Sequence, residues 1–541
     1  MVKQYLTVFS VGPVQSFIAS ARKTEDLWSG SFILSHLVRE AIKQLYKYGD
    51  KFSLLFPMIT ENEVNNPNKS NLHIASLPNR FTALLTGNST EVTKMLKNTE
   101  AAVRHAFIHM YSQSIQLLFS DLPTKQKELL IETGKKQIES LIEIYWVIEP
   151  FEEEMEFNEI RERTESRLAA IKNDKQFIQI EQHGLTCSVC QGRDALSAYP
   201  ITESDSYGSM KKKLADTWNK RSQPFLQNKD NDEHARIKDN EFLCGVCTTK
   251  RLARDYFKRY YSYPTGFESF KSTIKISEPD HYYAILMVDG DNMGKWFSGA
   301  HIENYRDVSS RLATFSKETV PDIVGKSSKG MLIYAGGDDL LAFLPLNEVL
   351  DIAEKLRYSF SDDQKGLNHN ATSSGGLIIA HKKASLKTLL NEARKLESKA
   401  KNYKNKVSGE EKNALAIAVH TRSGEKSETV LPWNIGEAKT SQILKRIIHL
   451  LKNDLSDTFI YQFIESFYPL ISVKDSSRKV DRSLIEAELS RLFKRSAKRK
   501  LSEEEVRNDV NNLVLLYDHV QSTMDFIYTL KILSFFKRKE D

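Results

Sequence analysis

Apolar residues along the chain recur in short runs with two different periods, and these periods separate strands from helices. Near the start, Tyr5 to Val11 predicts a strand, followed by a long helix beginning near Val14. Leu54 to Phe56 and the strongly apolar Ile142 to Ile148 predict further strands, with helical stretches after Leu77 to Phe81. Tyr283 to Val288 is continuously apolar, as in a strand buried on both faces. In Met331 to Pro345 (MLIYAGGDDLLAFLP), two apolar runs flank Gly336, Gly337, Asp338 and Asp339, the pattern of a β-hairpin. Thr372 to Ala380 (TSSGGLIIA) reads as a small-residue loop entering an apolar strand. In Ala384 to Lys401, Leu386, Leu389, Leu390, Ala393, Leu396 and Ala400 recur at helical spacing, and Ala414 to Val419 predicts a last strand. From Trp433 onward amphipathic helix predominates, as in Ile443 to Leu451 and Val510 to Leu516.

Two of these elements end in chemistry. Adjacent Asp338 and Asp339 at a hairpin tip repel each other unless a cation or a shared proton neutralises them, and a plain turn gains nothing from the pair. Upstream, Asp289 falls where the Tyr283 to Val288 run stops. Gly290, Asp291, Asn292, Met293 and Gly294 follow as a glycine-bounded loop ahead of a predicted helix. Backbone amides in such a loop suit a triphosphate, although Asp291 and Asn292 also suit an ordinary Asx turn. If the strand of Asp289 pairs with the hairpin, Asp289, Asp338 and Asp339 converge. Together they would bind two Mg²⁺ or Mn²⁺ ions shared with substrate phosphates.

The four cysteines form two C-x-x-C pairs, Cys187 with Cys190 and Cys244 with Cys247. Two facing turns of this kind supply a closed tetrahedral Zn²⁺ site. The intervening stretch exceeds that of a compact ribbon, so the polar segment Thr217 to Asp239 is expected to loop out. A redox role would need only one pair, so the expectation is a structural zinc clamp.

At 541 residues, three or four domains are expected, and 40% hydrophobic with 27% charged residues is ordinary for a soluble chain. No apolar run is long enough for a membrane span, and MVKQYLTVFSVG enters a strand directly without a signal peptide's regions. A cytoplasmic location is expected. The formal net charge of +6 permits RNA contact without demonstrating it. The basic run Lys494 to Lys500, followed by acidic residues, reads as a solvated helix face.

The segments YAILMVDGDNMGKW and LIYAGGDDLLAFLP resemble the Palm domain of the large subunit of type III CRISPR effector complexes, in the Cmr-type (type III-B) branch. Val8 to Leu37, VFSVGPVQSFIASARKTEDLWSGSFILSHL, resembles that branch's opening motif, and LPNRF at Leu77 to Phe81 fits it. The resemblance runs from residue 3 to about residue 430. It implies an α/β (α+β) fold with two ferredoxin-like Palm/cyclase-type domains, a zinc-binding module and a C-terminal helical domain. The divisions expected are 1–175 for a degenerate, catalytically silent Palm, 176–270 for the zinc module, 271–430 for the catalytic Palm and 431–541 for the helices. Gly12 to Ser16 could face a phosphate or simply start a helix with Pro13 near its first turn. Ser373 and Ser374 are implied to border the base and ribose of ATP, and Lys401 or Lys399 to reach its triphosphate.

The implied activity is conversion of ATP, by two-metal catalysis, to a 3′,5′-linked cyclic oligoadenylate when the complex holds target RNA. Some relatives pass AMP to S-adenosylmethionine instead, and the motifs leave both acceptors open. Implied partners are other Cmr-type subunits, guide CRISPR RNA, target RNA and a downstream nucleotide-sensing effector. The chain contains no His-Asp dipeptide, so an HD nuclease is not expected. A non-catalytic scaffold subunit is one alternative, against which the intact carboxylates weigh. A stand-alone diguanylate cyclase or polymerase is another, disfavoured by the opening segment and the cysteines.

Overall fold

Lys3–Gly12 (β1), buried from Tyr5 to Val11, runs through the middle of a four-stranded antiparallel sheet with Phe52–Phe56 (β2), Arg80–Gly87 (β3) and Glu143–Phe151 (β4), in the order β2-β3-β1-β4. The computed structural model describes residues 3–67, 74–152, 156–174, 181–221, 237–261, 272–299, 301–456, 458–471 and 478–537. Its chain divides into two units, Met1–Phe270 with Gly294–Ala313, and Lys271–Met293 with Thr314–Asp541.

In the first unit β3 was not expected, because the turn-rich LPNRF obscures where its apolar run begins. Its register sets Phe81 opposite Phe9, and their rings stack with centroids 5.1 Å apart. The long helix expected from Val14 is two helices, Gln15–Ala19 and Thr24–Tyr46. The interruption has an electrostatic cause. The ammonium of Lys250, itself fully buried, donates to the carbonyls of Phe17 at 2.7 Å and Ser20 at 2.6 Å, ending the first helix. The Asp26 carboxylate accepts from the backbone N–H of Arg22 and Lys23, opening the second. Pro13 therefore precedes a short helix, in line with the helix-start reading of GPVQS. Lys250 and its neighbour Arg251 belong to the helix Gly245–Tyr261 that follows the second cysteine pair. Of the segment expected to loop out, residues 222–236 lie outside the described residues.

The second unit contains a six-stranded sheet. Its members are Tyr282–Gly290 (β5), Met331–Gly336 (β6), Asp339–Pro345 (β7), Ser373–His381 (β8), Ala414–His420 (β9) and Lys426–Pro432 (β10), ordered β10-β9-β8-β5-β7-β6. The part β8-β5-β7-β6 has the strand order of the first sheet, element for element, which is the ferredoxin-like arrangement. β9 lies parallel to β8 after the crossover helix Leu386–Lys401, and β10 turns back antiparallel along it. The apolar run of β5 is buried from Tyr282 to Val288 because β7 and β8 flank it and the helices Val349–Phe360 and Leu386–Lys401 pack on it.

β8 differs from the expectation of a loop leading into a strand. Ser373, Ser374, Gly375 and Gly376 are strand residues, all buried. Gly376 is there for packing: a Cβ at that position would lie 2.4 Å from the backbone nitrogen of Glu397. The C-terminal helices are Thr440–Asn453, Thr458–Phe467, Arg482–Ser496, Glu503–His519 and Thr523–Phe536. The last packs on β10, where the Thr529 hydroxyl donates to Thr429 Oγ1 at 2.8 Å. Among the described residues no helix is long and apolar enough to cross a membrane.

Candidate active site and metal centre

The register between β5 and β7 decides where the carboxylates lie. Val288 sits opposite Leu340, so the next residue on β5, Asp289, comes level with Asp339 at the base of the hairpin tip. The tip itself is a two-residue turn, Gly337 and Asp338, between Gly336 and Asp339. Only Gly337 of these four has a positive φ, +86°, as in a type II′ hairpin. Gly290 permits the close approach of this tip: a Cβ there would lie 2.9 Å from Asp338 Cβ and 3.0 Å from the Phe360 ring. Asp289, Asp338 and Asp339 thus meet at one end of the sheet.

Their electrostatics follow from that meeting. Desolvation by the surrounding protein pushes Asp338 well above the carboxylate range, and the charges of Asp289 and Asp339 push it further. Desolvation and then Asp289 raise Asp339 to about 7. The Asp339 side chain is exposed at the tip, so we assign more of its shift to repulsion than to lost water. Glu397, on the helix that covers β8, is raised by burial and by Asp289, which places a fourth acidic group in the same field. Against these stands Lys401, one turn further along the helix. Its ammonium forms an ion pair with Asp289 and donates to the Gly290 carbonyl at 3.0 Å. Burial alone would lower Lys401, but Asp289 overrides it and holds the ammonium above the usual lysine value. The excess of hard oxygen donors over cations fits Mg²⁺ or Mn²⁺.

The structure separates the remaining residues. Lys399, the alternative to Lys401, pairs instead with Glu428. Ser373 and Ser374 are 1% and 0% exposed, as residues of β8. Asp291 is 1% exposed and its carboxylate is used inside the protein. It accepts from Ser374 Oγ at 2.9 Å, Thr372 Oγ1 at 2.9 Å and the Asn413 backbone N–H at 3.1 Å. The Asp291 N–H donates to the Thr372 carbonyl at 2.8 Å, so this one residue ties the end of β5 to the starts of β8 and β9. Its side chain is a structural knot at this corner of the sheet. Asn292 is exposed, with φ +55°, and accepts from Lys412 Nζ at 2.6 Å. Met293 packs its sulfur toward Gly290. Gly294 belongs to the first unit and is exposed, and the helix it joins, Met293–Trp296, has only four residues, too few for the dipole expected behind a triphosphate.

Two functional neighbours escaped the sequence reading. Tyr334 donates its hydroxyl to both oxygens of Asp339, at 3.1 Å each, and no short motif marks that contact. Glu397 stands four residues before Lys401, a spacing that shares a helix face and could have flagged it.

In the first unit the four cysteine sulfurs lie within 4.8 Å of one another, and Cys190 and Cys244 are 3.7 Å apart. Tetrahedral Zn–S bonds of about 2.3 Å place sulfurs about 3.8 Å apart, so the cluster could hold that ion. Within each turn a backbone N–H reaches a thiol: Val189 to Cys187 and Cys247 to Cys244, both at 3.4 Å. Arg251 reaches from the same helix to Asp26, with Nε–Oδ1 2.6 Å, and to Glu241, with Nη1–Oε2 2.9 Å, all three side chains buried.

A ferredoxin-like sheet whose central strand and adjoining hairpin converge three carboxylates at one end is a palm-type domain. Residues 282–415 match the family described as Cas10/Cmr2, second palm domain, and residues 6–112 match CRISPR-associated protein Cmr2, N-terminal. The CRISPR system Cmr subunit Cmr2 of Pyrococcus furiosus is 24% identical over 84% of this chain, which spans 65% of that relative. Over its amino-terminal region and its second sheet the chain is thus similar to Cas10/Cmr2 proteins. Its fold is also that of a solved type III-B Cmr-beta chain in the complex bound to cognate target RNA, at TM-score 0.66 and 14% identity, covering 99% of this chain and 83% of that one. A chain of the Csm1-Csm4 cassette in complex with pppApApA has TM-score 0.51 at 13% identity, covering 99% and 70%.

Proposed function

We propose that this chain is the palm-bearing large subunit of a type III-B CRISPR effector, assembled with other Cmr-type subunits, guide CRISPR RNA and target RNA. We read its second sheet as the nucleotidyltransferase centre, converting ATP to a cyclic oligoadenylate signal. The observation that carries this is the register of Val288 with Leu340, which brings Asp289 to Asp338 and Asp339. The family of the second palm and a fold relative holding pppApApA support the substrate class. The division into a silent Palm, a zinc module, a catalytic Palm and a helical domain belongs to the same reading.

Divalent cations bound at the three carboxylates would neutralise a triphosphate and lower the pKa of an attacking ribose hydroxyl. The residues then have separate tasks. Asp289, Asp338 and Asp339 supply the oxygen ligands. Lys401 leaves Asp289 to meet a phosphate, whose negative charge replaces that of the carboxylate in holding the ammonium form. Asp291 holds the backbone of Asp289 and Gly290 in place, so that orientation is set before substrate arrives. The cysteine cluster we read as structural Zn²⁺ that takes no part in the chemistry.

The test is the assembled complex with labelled ATP, Mg²⁺ or Mn²⁺ and target RNA, with and without S-adenosylmethionine. Cyclic oligoadenylate should form, and Asp338→Ala with Asp339→Ala should abolish it without disturbing assembly. Absence of any nucleotide product would leave a scaffold, and an adenylylated S-adenosylmethionine product would change the acceptor while keeping the centre.

A further inference from the structure

The three carboxylates are not held alike. Asp289 has the Lys401 ammonium and sits beside β8, whereas Asp339 stands exposed at the hairpin tip, opposite a residue with no side chain, Gly336. A carboxylate in that position has two freely turning side-chain torsions and nothing across the strand pair to limit them. Tyr334 supplies the limit. Residues two apart on a strand share a face, so Tyr334 and Gly336 point the same way. From its place opposite Leu341, Tyr334 reaches diagonally across the strand pair to the Asp339 carboxylate. Its hydroxyl lies 3.1 Å from Oδ1 and 3.1 Å from Oδ2, a contact to both oxygens that limits where the carboxylate can point. The diagonal reach is within the span of an aromatic side chain.

We infer that Tyr334 is a positioning residue, orienting Asp339 for divalent-cation binding through its hydroxyl. The inference rests on the metal-binding reading of the carboxylates given above. Ligating carboxylates are commonly held by outer hydrogen-bond donors, and loss of such a donor weakens metal binding about 10- to 100-fold.

The test uses the zinc-loaded full chain and Mn²⁺ titration followed by the paramagnetic signal of free Mn²⁺, without nucleotide. Tyr334→Phe, which removes one oxygen and keeps the ring, should weaken Mn²⁺ binding about tenfold with an unchanged melting temperature. In the assembled complex its product formation should recover at raised Mn²⁺, while Asp339→Ala should stay inactive at any concentration. Wild-type or tighter Mn²⁺ binding by Tyr334→Phe, with binding lost in Asp339→Ala, would overturn the role of Tyr334 and spare the site. Undiminished binding by Asp339→Ala would overturn the metal site and Tyr334's role together.

Discussion

Alanine at Gly290 should damage the second unit at the point where two carboxylate-bearing elements touch. A Cβ built there lies 2.8 Å from the Met293 sulfur, 2.9 Å from Asp338 Cβ and 3.0 Å from the Phe360 ring. Relaxed carbon contacts lie at about 3.5–4.0 Å, so roughly 0.5–1 Å must be found on each side. The Met293 side chain can swing aside. Phe360, 1% exposed at the end of its helix, cannot recede. The hairpin tip must therefore move outward and carry Asp338 with it. Overpacking of this kind costs about 1–3 kcal/mol, a fall of several degrees in melting temperature for a unit of this size. The displacement is of the order at which placement of catalytic groups fails, with losses approaching about 100-fold for 1 Å. Thermal unfolding and nucleotide synthesis by the assembled complex measure the two effects. Gly294→Ala is the control, because a Cβ there meets nothing within 4 Å. Wild-type stability and synthesis in Gly290→Ala, or equal damage from Gly294→Ala, would refute the reasoning.

Arg251→Met removes the ion-pair partner shared by two buried carboxylates, Asp26 and Glu241, leaving them backbone N–H donors, and should cost about 3–5 kcal/mol in denaturant unfolding. In the wild type, burial alone would raise both acids, but Arg251 overrides it and holds them below their usual values. Their contribution is therefore complete at pH values above about 4 and is lost as the pH falls through the depressed folded values. The methionine variant should reverse this and gain stability as the pH is lowered from 7 towards 5; an unchanged acid profile would contradict the assignment. Purified chain should carry about one zinc, and a strong chelator should lower its melting temperature while making the four thiols reactive. A metal-free chain with the same melting temperature would remove the clamp.

What the sequence made legible is what local pattern controls. The continuous apolar run of β5, the GGDD hairpin and the cysteine spacing each depend on a few adjacent residues, and each lies where its pattern points. The misses depend on partners far along the chain. The helix after Pro13 breaks because a lysine more than two hundred residues away takes its carbonyls. Ser373 and Ser374 look like loop residues, yet pairing with Gly290 and Asp289 of β5 makes them strand. Asp291, read as a phosphate neighbour, is consumed by donors from Thr372, Ser374 and Asn413, none of which its own surroundings announce. Tyr334 lies in an apolar strand that would bury any aromatic equally well.

The shared strand order of the two sheets conceals unequal connections at corresponding places. β6 passes to β7 through Gly337 and Asp338 alone, so an inserted residue there would break the pairing that aligns Asp289 with the tip. The counterpart in the first sheet, from β2 to β3, extends from Pro57 to Asn79 and carries no comparable demand. An epitope tag or fluorophore-bearing peptide spliced into that longer link should leave the strands on either side correctly paired. The half of the molecule without an acidic tip is thereby the one open to engineering and to drift in length.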